Sequence, residues 1–261
     1  GINNTIIGGL AGDAMTQGQN NTLVGKGAGT DLTTGESNVA IGVSALGSED
    51  TGHDNTAVGF QALTTLNYDG SGYNTAVGRR AGYVVSTGIQ NTLIGAGAGD
   101  ALTTGSYNAA LGYNALGDET TNSNNVAVGY LSMSSSEYSA KNVAVGSNTL
   151  QNVTHGSSTD TYNTAVGYNA GISVTSGIRN TLVGGLAGDS LTQGAYNTAI
   201  GMFALSTEDA NGYNTAVGYG TLELQNAGTD AYNTALGYIA GQSITTGTSN
   251  VLLGSQAGDA L

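Results

Sequence analysis

The chain has 261 residues, including 44 Gly and no Cys, Pro or Trp, and its 18 acidic against 5 basic side chains give a formal net charge of −13. So few Lys and Arg argue against a nucleic-acid or anionic-lipid partner, and the absence of Cys excludes disulfides and thiolate metal sites. No apolar run approaches the roughly 18 residues of a membrane span, so we expect none.

One five-residue phrase recurs along the whole chain: Asn, then Thr, Val or Ala, then Ala, Leu or Ile, then Val, Ile or Leu, then Gly. We name its first residue the anchor Asn and number the positions of each coil from it. The 15 anchors are Asn4, Asn21, Asn38, Asn55, Asn74, Asn91, Asn108, Asn125, Asn142, Asn163, Asn180, Asn197, Asn214, Asn233 and Asn250. Of their 14 gaps, eleven are 17 residues, two are 19 and one is 21. This period predicts one repeat array over residues 1–261, a solenoid of about 15 coils.

The longer gaps are themselves periodic along the chain. They follow the anchors Asn55, Asn142 and Asn214, and the three stretches that they define are 70, 89 and 70 residues long. We therefore expect a higher unit of four or five coils, one of which carries a longer loop.

Each phrase predicts a short parallel β-strand, because β-branched and apolar residues follow one another there. The closing Gly, present in all 15 copies, suits a positive φ or a close approach of two backbones. The first and third strand residues face one way and the second faces the other. Both faces are largely apolar, so we expect both to be buried, one inside the coil and one against a partner. The predicted fold is an all-β parallel β-solenoid (β-roll) that forms a homotrimeric fibre.

Two positions of each coil compensate for one another. Where position 8 is Gly, a hydrophobic residue follows three residues later, as in the pairs Gly12 with Met15, Gly99 with Leu102, Gly171 with Val174, Gly188 with Leu191 and Gly241 with Ile244. Where position 8 is Leu, as at Leu46, Leu116 and Leu205, the later residue is Glu49, Glu119 or Glu208. This exchange predicts one core slot that is filled from either of two places.

The phrases also carry a family resemblance. The sequences NVAIG at Asn38–Gly42 and NVAVG at Asn125–Gly129 and Asn142–Gly146 resemble the SVAIG-type repeats of YadA-like trimeric autotransporter adhesin heads. The sequences NTAVGYNAG and NTAIGMFAL, which begin at Asn163 and Asn197, resemble repeats of phage tail-fibre proteins. The resemblance spans all 15 coils and implies a trimer of left-handed parallel β-rolls.

Residues that usually carry chemistry are sparse. The two His residues, His53 and His155, are expected in solvated loops, and no catalytic motif occurs, so we expect neither an enzyme nor a cofactor. Asp follows Ala-Gly at Asp13, Asp100, Asp189 and Asp259. Such carboxylates either share Ca²⁺ or close turns by accepting from backbone amides, and we favour turn closure because the copies are not in adjacent coils.

Tyrosines form two rows beside the strands. Those before the anchor are Tyr73, Tyr107, Tyr162, Tyr196, Tyr213 and Tyr232, and those after the strand Gly are Tyr113, Tyr130, Tyr168, Tyr219 and Tyr238. Their rings either bind a sugar or receptor or pack along the column and against a neighbouring chain, and we favour packing.

The anchor Asn residues are expected to form a buried ladder in which each amide bonds the amides above and below. Replacing Asn197 in this ladder by Asp is expected to destabilise the fold, whereas Asn211, outside the column, is expected to tolerate replacement.

The function expected from these patterns is structural. We expect a segment of an extracellular fibre, of the phage tail-fibre or cell-surface adhesin type, that contributes to attachment to a host or surface. The repeat runs to both ends of the chain, as in a piece of something longer, and coils about 4.8 Å apart predict a length of roughly 70 Å. The alternative is a solenoid module that binds a glycan or ice.

Overall fold

The structure, a computed structural model, describes residues 1–259. The described residues form strands, turns and bends and contain no helix. The chain divides into two compact units, Gly1–Asn125 and Val126–Leu261. Each unit is a parallel β-solenoid, and together they contain about 15 coils, which confirms the all-β parallel β-solenoid that the sequence predicts and leaves the homotrimeric fibre a prediction.

The first unit contains seven strands of three residues each. They are β1 (Thr5–Ile7), β2 (Thr22–Val24), β3 (Val39–Ile41), β4 (Thr56–Val58), β5 (Thr75–Val77), β6 (Thr92–Ile94) and β7 (Ala109–Leu111). Each strand pairs in parallel with the next one in the chain, and residues at the same position of the phrase lie opposite one another, as Thr5 does to Thr22. Equal positions therefore form columns along the unit.

The second unit repeats this arrangement. Its strands are β8 (Val126–Val128), β9 (Glu137–Ala140), β10 (Val143–Val145), β11 (Thr154–Asp160), β12 (Thr164–Val166), β13 (Thr181–Val183), β14 (Thr198–Ile200), β15 (Thr215–Val217), β16 (Thr234–Leu236) and β17 (Val251–Leu253). Strands β8, β10 and β12–β17 pair in parallel and in register. Strands β9 and β11 form a separate parallel pair with a shifted register.

The second strand residue of each phrase faces the core. This residue, Ala or Leu in all coils but the first, is fully buried in most coils, as at Leu23, Ala40 and Ala165. Its neighbours at positions 1 and 3 are half-buried or exposed. One strand face thus lines the interior as predicted. The other face lies at the surface of the chain, and its coverage by a partner remains a prediction.

Leu side chains enter the core from two alternative positions. In the second coil, Leu23 occupies the space beside Gly29, where an added Cβ would lie 2.9 Å from a Leu23 methyl group. In the third coil, the strand residue is Ala40, and Leu46 fills the core from position 8 with a φ of 51°. A bulky side chain in this left-handed region is uncommon, and the core that it fills compensates for the backbone strain.

A third kind of coil supplies no Leu from either position. The coil that begins at Asn74 has Ala76 at position 2 and Gly82 at position 8. A Cβ on Gly82 would lie 2.8 Å from methyl groups of both Leu63 and Leu93, which belong to the coils on either side. Gly171 and Gly241 stand between Leu residues in the same way. Each such coil is therefore packed by its neighbours, which keeps the interior filled.

The expectation of a single exchangeable core slot is wrong in two coils with long loops. Leu63 and Leu66 are both fully buried, and so are Leu150 and Val153. These coils have 19 and 21 residues. In both coils a hydrophobic residue stands at position 8 and another at position 11, so the two positions do not exchange there.

The strand Gly is required by the stacking of the coils. Gly42 has a φ of +137°, and a Cβ there would lie 2.3 Å from the carbonyl oxygen of Gly59 in the next coil. No side chain fits into this contact. Both reasons that the sequence suggested for this Gly, the positive φ and the close backbone approach, are confirmed.

Candidate functional site

The anchor Asn residues form a column in each unit, and those from Asn21 to Asn233 are buried. In the first unit, the backbone N–H of Asn38 donates to Asn21 Oδ1 at 2.9 Å, and Asn38 Nδ2 donates to the Gly52 carbonyl at 2.8 Å. In the second unit, the backbone N–H of Asn197 donates to Asn180 Oδ1 at 2.9 Å. Each side chain thus joins two coils through its oxygen and closes its own coil through its nitrogen.

These bonds differ from the predicted ladder, in which each side-chain amide bonds the side-chain amides above and below it. The short ones link the side chain to the main chain, whereas amide-to-amide contacts are longer, as between Asn91 Nδ2 and Asn74 Oδ1 at 3.2 Å. Long loops alter the closure. Asn55 Nδ2 donates to the His53 carbonyl instead, and Asn214 Nδ2 is buried without a hydrogen-bond partner among residues 1–259. The sequence predicts the column, but the loop partners depend on the folded coil.

Three Glu residues that follow a core Leu are completely buried, namely Glu49, Glu119 and Glu208. Glu49 Oε1 accepts from the Gly52 N–H at 2.7 Å, and Oε2 accepts from the Tyr68 N–H at 3.4 Å. Burial raises the pKa of Glu49 to about 7, although these backbone N–H bonds and that of Asp50 act in the opposite direction. The carboxylates therefore cap loop amides. The sequence signal for this cap is Glu three residues after the core Leu.

The expectation that Asn211 lies outside the network is wrong. Asn211 is buried, and both its backbone N–H, at 3.2 Å, and its Nδ2, at 2.7 Å, donate to Glu208 Oε1. Its carbonyl accepts from Asn197 Nδ2 at 3.0 Å. Asn211 therefore connects the buried Glu208 to the anchor column, so we expect its replacement to destabilise the fold.

The tyrosine rows are exposed. In the second unit, the rings of Tyr196 and Tyr213 stack with centroids 5.0 Å apart, as do those of Tyr213 and Tyr232. The rings of Tyr219 and Tyr238 stack at 5.6 Å. Two cations extend the row before the anchors, because Lys141 lies over Tyr162 and Arg179 over Tyr196. The expected packing along a column is present among these rings.

The Asp residues after Ala-Gly lie in four separate coils. Burial raises the pKa of Asp100, where the positive charge of Arg80 acts in the opposite direction, and burial also raises the pKa of Asp189, whose Oδ1 is buried without a hydrogen-bond partner among residues 1–259. Residues 1–259 contain no group of three or more His, Asp and Glu side chains that could hold a metal ion.

The two His residues lie in different coils, His53 in the coil that begins at Asn38 and His155 in the coil that begins at Asn142. His53 Nδ1 accepts from the Glu36 N–H at 2.9 Å. His155 was expected in a loop but lies in strand β11, where burial lowers its pKa. The longest gap between anchors contains this strand, and the edge of β9 provides its backbone partner.

No family model matches the chain, and no curated protein matches its sequence. No helix in residues 1–259 has the length and apolar character that crossing a membrane requires.

Proposed function

We propose that this chain is a structural segment of an elongated extracellular fibre, of the phage tail-fibre or cell-surface adhesin type, that assembles as a homotrimer and contributes to attachment. Its role in this proposal is mechanical and not catalytic. The observation that carries it is the in-register stacking of the coils, in which each anchor Asn bonds to two coils at once. Such repeated bonds hold successive coils in register along each unit.

The outer strand face supports assembly from several copies. The residues at position 3 are partly exposed, with 36–48% of the residue surface accessible at Val77, Leu111 and Leu236. The exposed Tyr rows border these residues in the sequence. A large apolar patch on one chain indicates an interaction surface. A second copy is the partner we propose, because its columns have the same spacing and the same apolar residues.

Electron microscopy and light scattering of the purified chain test this proposal. We expect rod-shaped particles, about 70 Å long if 15 coils stack at about 4.8 Å, with the mass of three chains. Compact globules would contradict the fibre, and a stable, soluble monomer would contradict the trimer.

A further inference from the structure

A polar pocket of about 190 Å³ lies in the first unit, on the outside of three successive coils. Arg79 and Arg80 line it from one coil, and Tyr113 and Asn114 line it from the coil two further on. The coil between them contributes only the small residues Ala96 and Gly97 at these positions, and Asp100 lies at the side.

The pocket is a gap in a column. The Gly97 N–H donates to the Arg79 carbonyl and the Asn114 N–H to the Ala96 carbonyl, each at 3.0 Å, so the three coils lie directly above one another. In the second unit, the same position after the strand Gly carries Tyr219 and Tyr238 in adjacent coils, and their rings stack. With Ala96 in the middle coil, a slot opens between backbones that are about 10 Å apart, twice the usual strand spacing.

Gly97 forms the floor of this slot and has no side chain that would fill it. An added Cβ at Gly97 would lie 2.3 Å from Asn114 Oδ1, and the residue has a φ of +70°. The Asn114 amide therefore lies against the floor of the slot, where it is placed to bond a ligand hydroxyl.

The slot holds two of the five cations of a chain whose net charge is −13. The guanidinium of Arg80 lies 4.0 Å from the centroid of the Tyr83 ring, and that of Arg79 lies 6.0 Å from the Phe60 ring. Arg80 Nε is buried and has no hydrogen-bond partner among residues 1–259. A buried donor without an acceptor is costly, and an acceptor from a ligand would remove that cost.

We propose that this slot binds one carboxylate-bearing sugar residue, a hexuronate. Its carboxylate accepts from the guanidinium groups of Arg79 and Arg80, and its ring packs on Tyr113. Its hydroxyls bond to Asn114 and Asp100. The polar side chains favour a sugar over an aromatic acid, which has no hydroxyls to satisfy them. The site does not depend on the proposed trimer or fibre, so each can fail without the other.

Calorimetric titration of the full chain with D-glucuronate, D-glucose and benzoate tests the site. We expect a Kd on the order of 1 mM for glucuronate, as suits a ligand of one ring. Glucose lacks the carboxylate and benzoate lacks the hydroxyls, so each is expected to bind at least about tenfold more weakly. Equal affinity for glucose or for benzoate, or no saturable binding of glucuronate up to about 20 mM, would overturn the proposal.

Three variants locate the binding. Ala96→Tyr fills the slot with the residue that other coils carry at that position, and Arg80→Gln removes one charge; each is expected to raise the Kd for glucuronate at least about tenfold. Lys26→Gln removes an exposed cation from the same position of the second coil and is expected to leave the Kd unchanged. Circular dichroism checks that each variant folds. If a variant does not fold, the titrations of the unaltered chain with the three ligands decide whether the site exists. Undiminished binding by Ala96→Tyr would show that the sugar binds elsewhere. A change of oligomeric mass in Arg80→Gln, without a change in the Kd for glucuronate, would show that the arginine pairs with a carboxylate of a second copy instead.

Discussion

Asn has an amide nitrogen that donates hydrogen bonds and Asp has none, and at the anchor position that nitrogen closes the coil. The Asn197 side chain accepts the Asn214 N–H at 3.0 Å and donates to the Asn211 carbonyl at 3.0 Å. An Asp at this place keeps the first bond but brings a second acceptor against the carbonyl. It also buries a negative charge.

We therefore expect Asn197→Asp to lower the free energy of unfolding by about 1–3 kcal/mol, the usual cost of an unsatisfied buried group. The matched control is Asn226→Asp, at an exposed site in the same unit, which we expect to change it by less than about 0.5 kcal/mol. Urea unfolding of both variants measures the difference, and equal midpoints would show that the column contributes nothing.

The buried Glu49 predicts a dependence of stability on pH. Its pKa rises from 4.5 to about 7 on folding, mainly through burial, with a further rise from the nearby Asp50. The folded state therefore binds a proton that the unfolded state has released. Its contribution to stability is fully present below about pH 4.5 and is lost as the pH rises through about 7.

Glu49→Gln keeps an oxygen that accepts the Gly52 N–H but removes the titration. We expect the Tm of the unaltered chain to fall between pH 5 and pH 8, and to fall less in the variant. Some dependence is expected to remain, because burial also raises the pKa of Glu208. Scanning calorimetry across this range decides the matter, and identical slopes of Tm against pH in the two proteins would refute the assignment.

At the scale of the strand and its coil, the stacking contact at the strand Gly leaves no room for a side chain. Gly42→Ala places a methyl group 2.3 Å from the carbonyl of Gly59, in a backbone conformation that suits Gly. We expect it to cost well over about 1 kcal/mol or to prevent folding. Gly9→Ala, in the same unit, meets no atom within 4 Å and is expected to be tolerated. Similar melting temperatures for the two variants would contradict this account of the stacking.

The elements differ in how well the sequence predicts them. The strands and their Gly residues follow from a short period and β-branched residues, which are local signals. The left-handed conformation of Leu46 could not be predicted, because a core contact offsets its local strain. Strand β11 could not be predicted either, because its residues, Thr-His-Gly-Ser-Ser-Thr-Asp, show no apolar alternation, and its pairing depends on the edge of β9.

The candidate sites show the same limit. The anchor column is visible as an invariant Asn, but the carbonyl that each amide reaches depends on how the loop folds. The slot at Ala96 becomes visible in the sequence only when the coils are written in register, with Arg79 and Tyr113 at the same position on either side. Its depth and the buried Arg80 Nε require the folded chain.

At the scale of the whole molecule, the account depends on what covers the outer strand face. Val166 on that face is 37% exposed in the isolated chain, and an assembly of copies would bury its column. A charge placed there would oppose assembly without disturbing the core, because the inward residue of this strand is Ala165. Val166→Lys is therefore the variant for this test, and Thr229→Lys, at an exposed loop site of the same unit, is its matched control.

Sedimentation equilibrium of these three proteins tests the central claim most directly. The account predicts the mass of three chains for the unaltered protein and for Thr229→Lys, and a shift toward the mass of one chain for Val166→Lys. A monomeric mass for the unaltered chain over the micromolar range, or a trimer that Val166→Lys leaves intact, would contradict it.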